Sequence, residues 1–240
     1  MATIVDALNR VARQVSVTQP DSWLTATAAE HVEIRDDFLL EAVDEILQRV
    51  DAPSPISAST VLTTDGSETY TLPTDFLRMQ RDPMAVYESA GINRALTPIS
   101  DDGIWTHIKT VGSTGITRYY RLSGYEGNWS ISIYKEPTSS QTITVHYVSR
   151  NWMANAGTAG YAFTAEDDVL LMPRRLVELG TICRYRHRRG IPYEATLLEF
   201  EAELHRYSND RRVRRKITFG DMRKDSGPWD IPVPDYIPEA

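Results

Sequence analysis

The sequence predicts an α+β chain in which N- and C-terminal helices build one helical bundle. An antiparallel β-domain is inserted between them, and an extended C-terminal tail follows. Three observations predict this. Apolar residues recur at helical spacing before residue 51 and again between residues 173 and 207. Between Thr60 and Ser149 the period shortens to two, in β-branched and aromatic runs separated by turn residues. Beyond Thr218, Pro228, Pro232, Pro234 and Pro238 exclude any regular element. The expected divisions are residues 1–57 for the N-terminal helices, 58–158 for the β-domain, 159–217 for the C-terminal helical pair and 218–240 for the tail.

Taken in order, Ile4, Leu8, Val11 and Val15 form one helical stripe, which stops before Pro20. Thr27-Ala28-Ala29-Glu30 has capping-box spacing, and Leu39, Val43, Ile46 and Val50 form the next stripe. Pro53 and Pro55 end that helix. Strands are expected at Val61–Thr64, Glu68–Leu72, Met84–Tyr87, Ile104–Lys109, Thr117–Leu122, Trp129–Tyr134 and Thr142–Val148, in a small sandwich or barrel. Asn151 to Gly160 reads as a loop. Glu166, Asp167 and Asp168 are expected to open a helix at its positive end. Leu176, Gly180 and Cys183 then share one face. Gly190 caps that helix, Pro192 starts another, and Tyr193, Leu197, Phe200, Leu204 and Tyr207 line the last.

Composition is that of an ordinary globular protein: 240 residues, 41% hydrophobic and 25% charged. No stretch approaches the roughly 18 apolar residues of a membrane span, and the N-terminus lacks a secretory signal pattern. Cys183 is the single cysteine, which rules out an intramolecular disulfide and suits a reducing compartment. The net charge of −7 is unevenly spread. Residues 1–51 carry −6, 52–173 carry −4, 174–224 carry +7 and 225–240 carry −4. Such a chain presents different electrostatic faces to different neighbours.

Catalysis needs convergent groups, and the usual signatures are missing. There is no phosphate-cradling glycine loop, HExxH, CxxC or GxSxG, so the expectation is a protein that is not an enzyme. His31, His107, His146, His187 and His205 have no metal-ligand spacing, so neither a metal nor a cofactor is expected. The acidic pairs Asp36-Asp37 and Asp101-Asp102 have structural explanations. A glycosidase would need such a pair across a cleft. Trp105, Tyr119, Tyr120 and Trp129 suit either a β-core or a sugar-binding platform.

The arginine-rich stretch is the sharpest chemical signal. Arg184, Arg186, Arg188 and Arg189, then Arg206, Arg211, Arg212, Arg214, Arg215 and Lys216, gather cations near helix ends. They can complement helix dipoles, meet nucleic-acid phosphates, or pair with an acidic neighbour. The third role would set Arg184, Arg188, Arg211, Arg212 and Arg215 of one copy against Asp37, Glu41 and Asp44 of the next, around a ring. In the tail, Trp229, Ile231, Val233, Tyr236 and Ile237 alternate with the prolines. That pattern fits either a disordered terminus or an extended segment that docks on a partner.

Three local features carry a family resemblance. They are Tyr70-Thr71-Leu72-Pro73-Thr74-Asp75-Phe76-Leu77-Arg78, then Asp168 to Leu179 with Pro173, and Arg184-Tyr185-Arg186 through Gly190-Ile191-Pro192-Tyr193 to Leu204. With the helix–β–helix order, they resemble the head-to-tail adaptor proteins of tailed bacteriophages. The resemblance implies a virion structural protein without enzymatic activity, assembled in the host cytoplasm and located in the phage neck. Its implied partners are the portal protein, further copies of itself in a ring of twelve, and a tail or nozzle protein. Packaged DNA would pass through the channel without sequence-specific binding, and no membrane is involved. The competing expectations are a carbohydrate-binding or cell-wall-degrading virion protein, and a DNA-binding protein using the arginine-rich helices.

Overall fold

A computed structural model describes residues 2–51, 56–89, 94–112, 117–135, 137 and 140–215, the side chains of 209–215 excepted. The expected tail, with Trp229, Ile231, Val233, Tyr236 and Ile237, lies outside the described residues. The architecture is α+β. One compact unit comprises Met1–Ile56 and Arg150–Arg215, and the other is built on Ser57–Ser149.

The first unit opens with α1 (Ile4–Gln14), which buries Ile4, Leu8 and Val11 as the stripe predicts. A capping box closes its start: Asp6 N–H donates to Thr3 Oγ1 at 3.1 Å, and Thr3 N–H to Asp6 Oδ2 at 3.3 Å. The box expected at Thr27 does not form. The short α2 (Ala29–Val32) begins at Ala28 with no side-chain cap. A π-helical segment, Glu33–Phe38, leads into α3 (Leu39–Arg49), which buries Leu39, Val43 and Ile46. Arg35 on the π segment donates to the carbonyls of Trp23 and Leu24 at 2.7 and 3.0 Å, fastening the preceding loop.

The second unit contains β1 (Ser57–Thr63), β2 (Thr69–Thr71), β3 (Phe76–Met79), β4 (Val86–Glu88), β5 (Thr97–Pro98), α4 (Asp102–Val111), β6 (Tyr119–Tyr125), β7 (Asn128–Tyr134) and β8 (Thr142–Ser149). One sheet has the order β1-β8-β3, with β4 also pairing β8. The other runs β2-β7-β6-β5, its pairs antiparallel except β5 with β6. The sheets share one core. Phe76, Val86, Ile143, Val145 and Tyr147 come from the first, and Tyr120, Ile131 and Ile133 from the second. Each such large apolar side chain contributes about 1.5–3 kcal/mol by burial.

Two expectations for this region are corrected. The strand read at Ile104–Lys109 is the helix α4. Asp101 accepts a hydrogen bond from Ile104 N–H at 2.8 Å as its N-cap, and Gly112 ends it at φ 78°. The alternation of Ile104, Thr106 and Ile108 mimics a strand, yet Trp105 is the residue the helix buries. Conversely, Phe76–Met79, which lies outside every expected strand, pairs with β8 through a bulge. Asp75 anchors it, accepting from Tyr147 Oη at 3.0 Å and Ser149 Oγ at 2.7 Å.

The chain then returns to the first unit. The segment read as a loop contains the hairpin β9 (Met153–Asn155) and β10 (Thr158–Gly160), joined by β11 (Val169–Leu170) in the order β10-β9-β11. Thr3 bridges Val169, and Ile4 N–H donates to Asp168 O at 2.9 Å, so the N-terminus is tied to this sheet. The acids at 166–168 do not open a helix. Asp168 instead organises the turn before β11, accepting from Thr164 N–H at 2.8 Å, Ala165 N–H at 2.9 Å and Asn155 Nδ2 at 2.8 Å. Glu166 accepts from Ser22 Oγ and Leu24 N–H.

The helix itself, α5 (Arg174–Arg188), is the centre of the unit. It contacts α1, the π segment, α3 and α6 (Glu194–Arg215). Gly180 permits this closeness. A Cβ there would sit 3.0 Å from Ala42 Cβ and 3.1 Å from Phe200 Cε2. At its end Gly190 has φ 68°, with Ile191 N–H bonded to Arg186 O and Gly190 N–H to His187 O, a Schellman cap.

Candidate functional site

Because α5 touches helices on several sides, its charged side chains decide what the surface of this unit presents. Towards α3, the Arg184 guanidinium pairs with Glu45, lies 3.6 Å from Glu41 and donates to Gly180 O at 2.9 Å. Arg49 bridges Glu45 at 2.6 Å and Glu201 on α6 at 2.7 Å. The Glu201 bond holds the Arg49 pKa above its usual range, and Glu201 lies below its own ordinary value for the same reason. Arg189 donates to Glu33 at 2.9 Å. Ion pairs within the chain therefore occupy Arg184, Glu41 and Glu45.

Asp37 and Arg188 are exposed and line one cleft of about 290 Å³ with Glu33, Phe38, Glu41, Arg184 and His187. Asp44 is exposed on α3. Arg211, Arg212 and Arg215 fall in the last turns of α6, where side chains lie outside the described residues. On the other side of Arg184 and His187 is a more apolar groove of about 250 Å³, lined by Cys183, Tyr193, Leu197 and Phe200 among others. Leu198, 71% exposed, is on the same helix. Burial pushes the Cys183 thiol up, away from reactivity.

Sequence reasoning missed a second cluster, between α1 and α5. Glu178 is only 4% exposed. Arg10 Nε stands 3.5 Å from its Oε2 and Arg174 Nε 3.1 Å from its Oε1, and Oε1 accepts no hydrogen bond. Burial raises the Glu178 pKa, even against the fields of Arg10, Arg174, Arg175 and Arg13. Two signals in the sequence mark the place: an acid inside the apolar run Leu176-Val177-Glu178-Leu179, and a helix that opens on Arg174-Arg175.

The aromatic residues weighed as a sugar platform are drawn inward. Trp105 and Tyr120 are buried, with the Tyr120 phenol pushed up to about 12 by burial, and Trp129 packs at 5.8 Å on the buried Phe76 ring. Asp101 caps α4, and Asp102 pairs with Arg121 at 2.6 Å. Among the described residues no group of three or more His, Cys, Asp or Glu is placed to hold a metal ion. No helix among them is long and apolar enough to cross a membrane.

Charged clefts and an apolar groove thus lie on the helical unit. The SU10 adaptor protein family model matches residues 2–225, and the chain belongs to that family. It is a phage adaptor-type structural protein. No curated protein matches the chain.

Proposed function

We propose that this chain is a head-to-tail adaptor subunit. Copies form a ring, twelve in number, beneath the portal, prolong the DNA channel and give the tail or nozzle protein its attachment platform. The observation that carries the reading is family membership across residues 2–225. Assembly takes place in the host cytoplasm and ends in the virion neck, with packaged DNA passing through without sequence-specific contact. The β-unit built on Ser57–Ser149 is the part presented to a neighbouring component.

Lateral contact in this ring is electrostatic. Arg184 and Glu41 stiffen the subunit internally. The exposed Asp37 and Arg188, together with Asp44 and the arginines 211, 212 and 215, are the groups that meet the neighbouring copy. Portal docking belongs to residues 218–240, through Trp229, Ile231, Val233, Tyr236 and Ile237. Deleting residues 218–240 is expected to abolish capture by immobilised portal rings while the far-ultraviolet spectrum and melting temperature stay as in the full chain. Capture at full-length levels by the truncated protein would overturn the docking assignment.

A further inference from the structure

The arginines around Glu178 have no explanation in ring assembly. The first turn of α5 contains Arg174 and Arg175 and no acid, and its N-cap, Pro173, offers no side-chain acceptor. Cations at that end oppose the helix dipole. They adjoin a cleft of about 200 Å³ lined by Arg10 and Gln14 from α1, Arg175, Glu178 and Arg186 from α5, and Thr196 and Glu199 from α6. Arg175 reaches Glu199 at 3.2 Å across exposed surface, and Arg186 donates to Thr196 Oγ1 at 2.7 Å. Among the described residues the guanidinium groups of Arg10, Arg13 and Arg174 donate no hydrogen bond. The buried carboxylate of Glu178 lines the same cleft, with Oε1 accepting none.

We infer that this cleft binds a phosphate group, held by the guanidinium forks of Arg10, Arg175 and Arg186. The donors that line the cleft, Arg10 from α1, Arg175 and Arg186 from α5 and Thr196 from α6, suit a tetrahedral anion with three or four acceptor oxygens better than a planar carboxylate with two. The volume admits one such group, not a folded segment of chain. The Thr196 hydroxyl, already accepting from Arg186, has its proton free for the anion. Glu178 keeps Arg10 and Arg174 in place. The ligand is either free inorganic phosphate or a phosphodiester of a nucleic-acid backbone, read without base contacts.

The test is isothermal titration of the full chain with inorganic phosphate, then with a short oligothymidylate, in low-salt buffer free of other polyvalent anions. Binding of either is expected. The double variant Arg10→Gln, Arg175→Gln should weaken it roughly ten-fold or more. Glu178→Gln, which removes the repelling charge, should tighten it several-fold. Oligothymidylate binding that weakens in the double variant, with a steep salt dependence, assigns the backbone as the source. Phosphate binding that the oligonucleotide fails to displace assigns the free ion. Absence of binding to both, or affinity indifferent to these substitutions, overturns the inference. If the double variant fails to fold, Glu178→Gln decides alone, because it retains every arginine.

Discussion

Glu178 and Asp168 are both buried carboxylates, ten residues apart in the chain, and their surroundings drive them in opposite directions. Burial disfavours the charge of each. For Asp168, bonds from Thr164, Ala165 and Asn155 outweigh that penalty and hold its pKa below the ordinary value. Its contribution to stability is therefore present above the ordinary aspartate pKa and is lost as pH falls through the lowered folded value. Asp168→Ala leaves two backbone donors without an acceptor, and should cost about 1–3 kcal/mol in denaturant unfolding at neutral pH. A loss near zero would contradict this account. For Glu178 burial prevails, so the native state holds the proton more tightly than the unfolded chain does. Stability is thus lost as pH rises from the ordinary glutamate value through the raised one. Glu178→Gln should melt progressively higher than the parent as pH rises above the ordinary glutamate value. A gap that stays constant across that range would show that burial is not the controlling cause.

Among the elements, α1, α3, α5 and α6 were legible because their apolar residues hold helical spacing over three or more turns. Elements shorter than that were read less well. In α4, Ile104, Thr106, Ile108 and Thr110 alternate as in a strand, and only the Asp101 cap and Gly112 at positive φ disclose the helix. Phe76–Met79 lies outside the expected strands because its pairing comes from β8, some seventy residues downstream, which no local pattern reveals. The α5 surface was legible in kind but not in arrangement. The arginines of 184–189 stood out as a run, whereas only the fold brings Glu41 and Glu45 to Arg184, and Arg10 to Glu178. Helix packing also gives the clearest test at this scale. Gly180 lies against Ala42 and Phe200 with no room for a side chain. Gly180→Leu should destabilise the protein by about 1–3 kcal/mol through overpacking, despite leucine's better helix propensity. A variant as stable as the parent would mean that α3, α5 and α6 are not packed as described.

At the scale of the whole molecule, a helical unit with charged clefts and a two-sheet β-unit share one chain, and that chain belongs to the SU10 adaptor protein family. The distribution of charge follows this division of labour. Acids concentrate in the first 51 residues and bases in 174–224, and part of each set is spent on ion pairs inside the helical unit. Asp37 and Arg188 stay exposed, and we propose that they face a neighbouring copy. Electrostatic contact between copies is screened by salt, so assembly should weaken as ionic strength rises. The central claim is that the subunit forms a ring on the portal. The most direct measurement is electron microscopy of the purified full chain mixed with isolated portal rings at low ionic strength. The account predicts an added layer of density on one face of the portal, with twelve-fold symmetry and a central channel in register with the portal's own. Portal rings that stay bare at saturating subunit concentration, or subunits bound without ring symmetry, would contradict it.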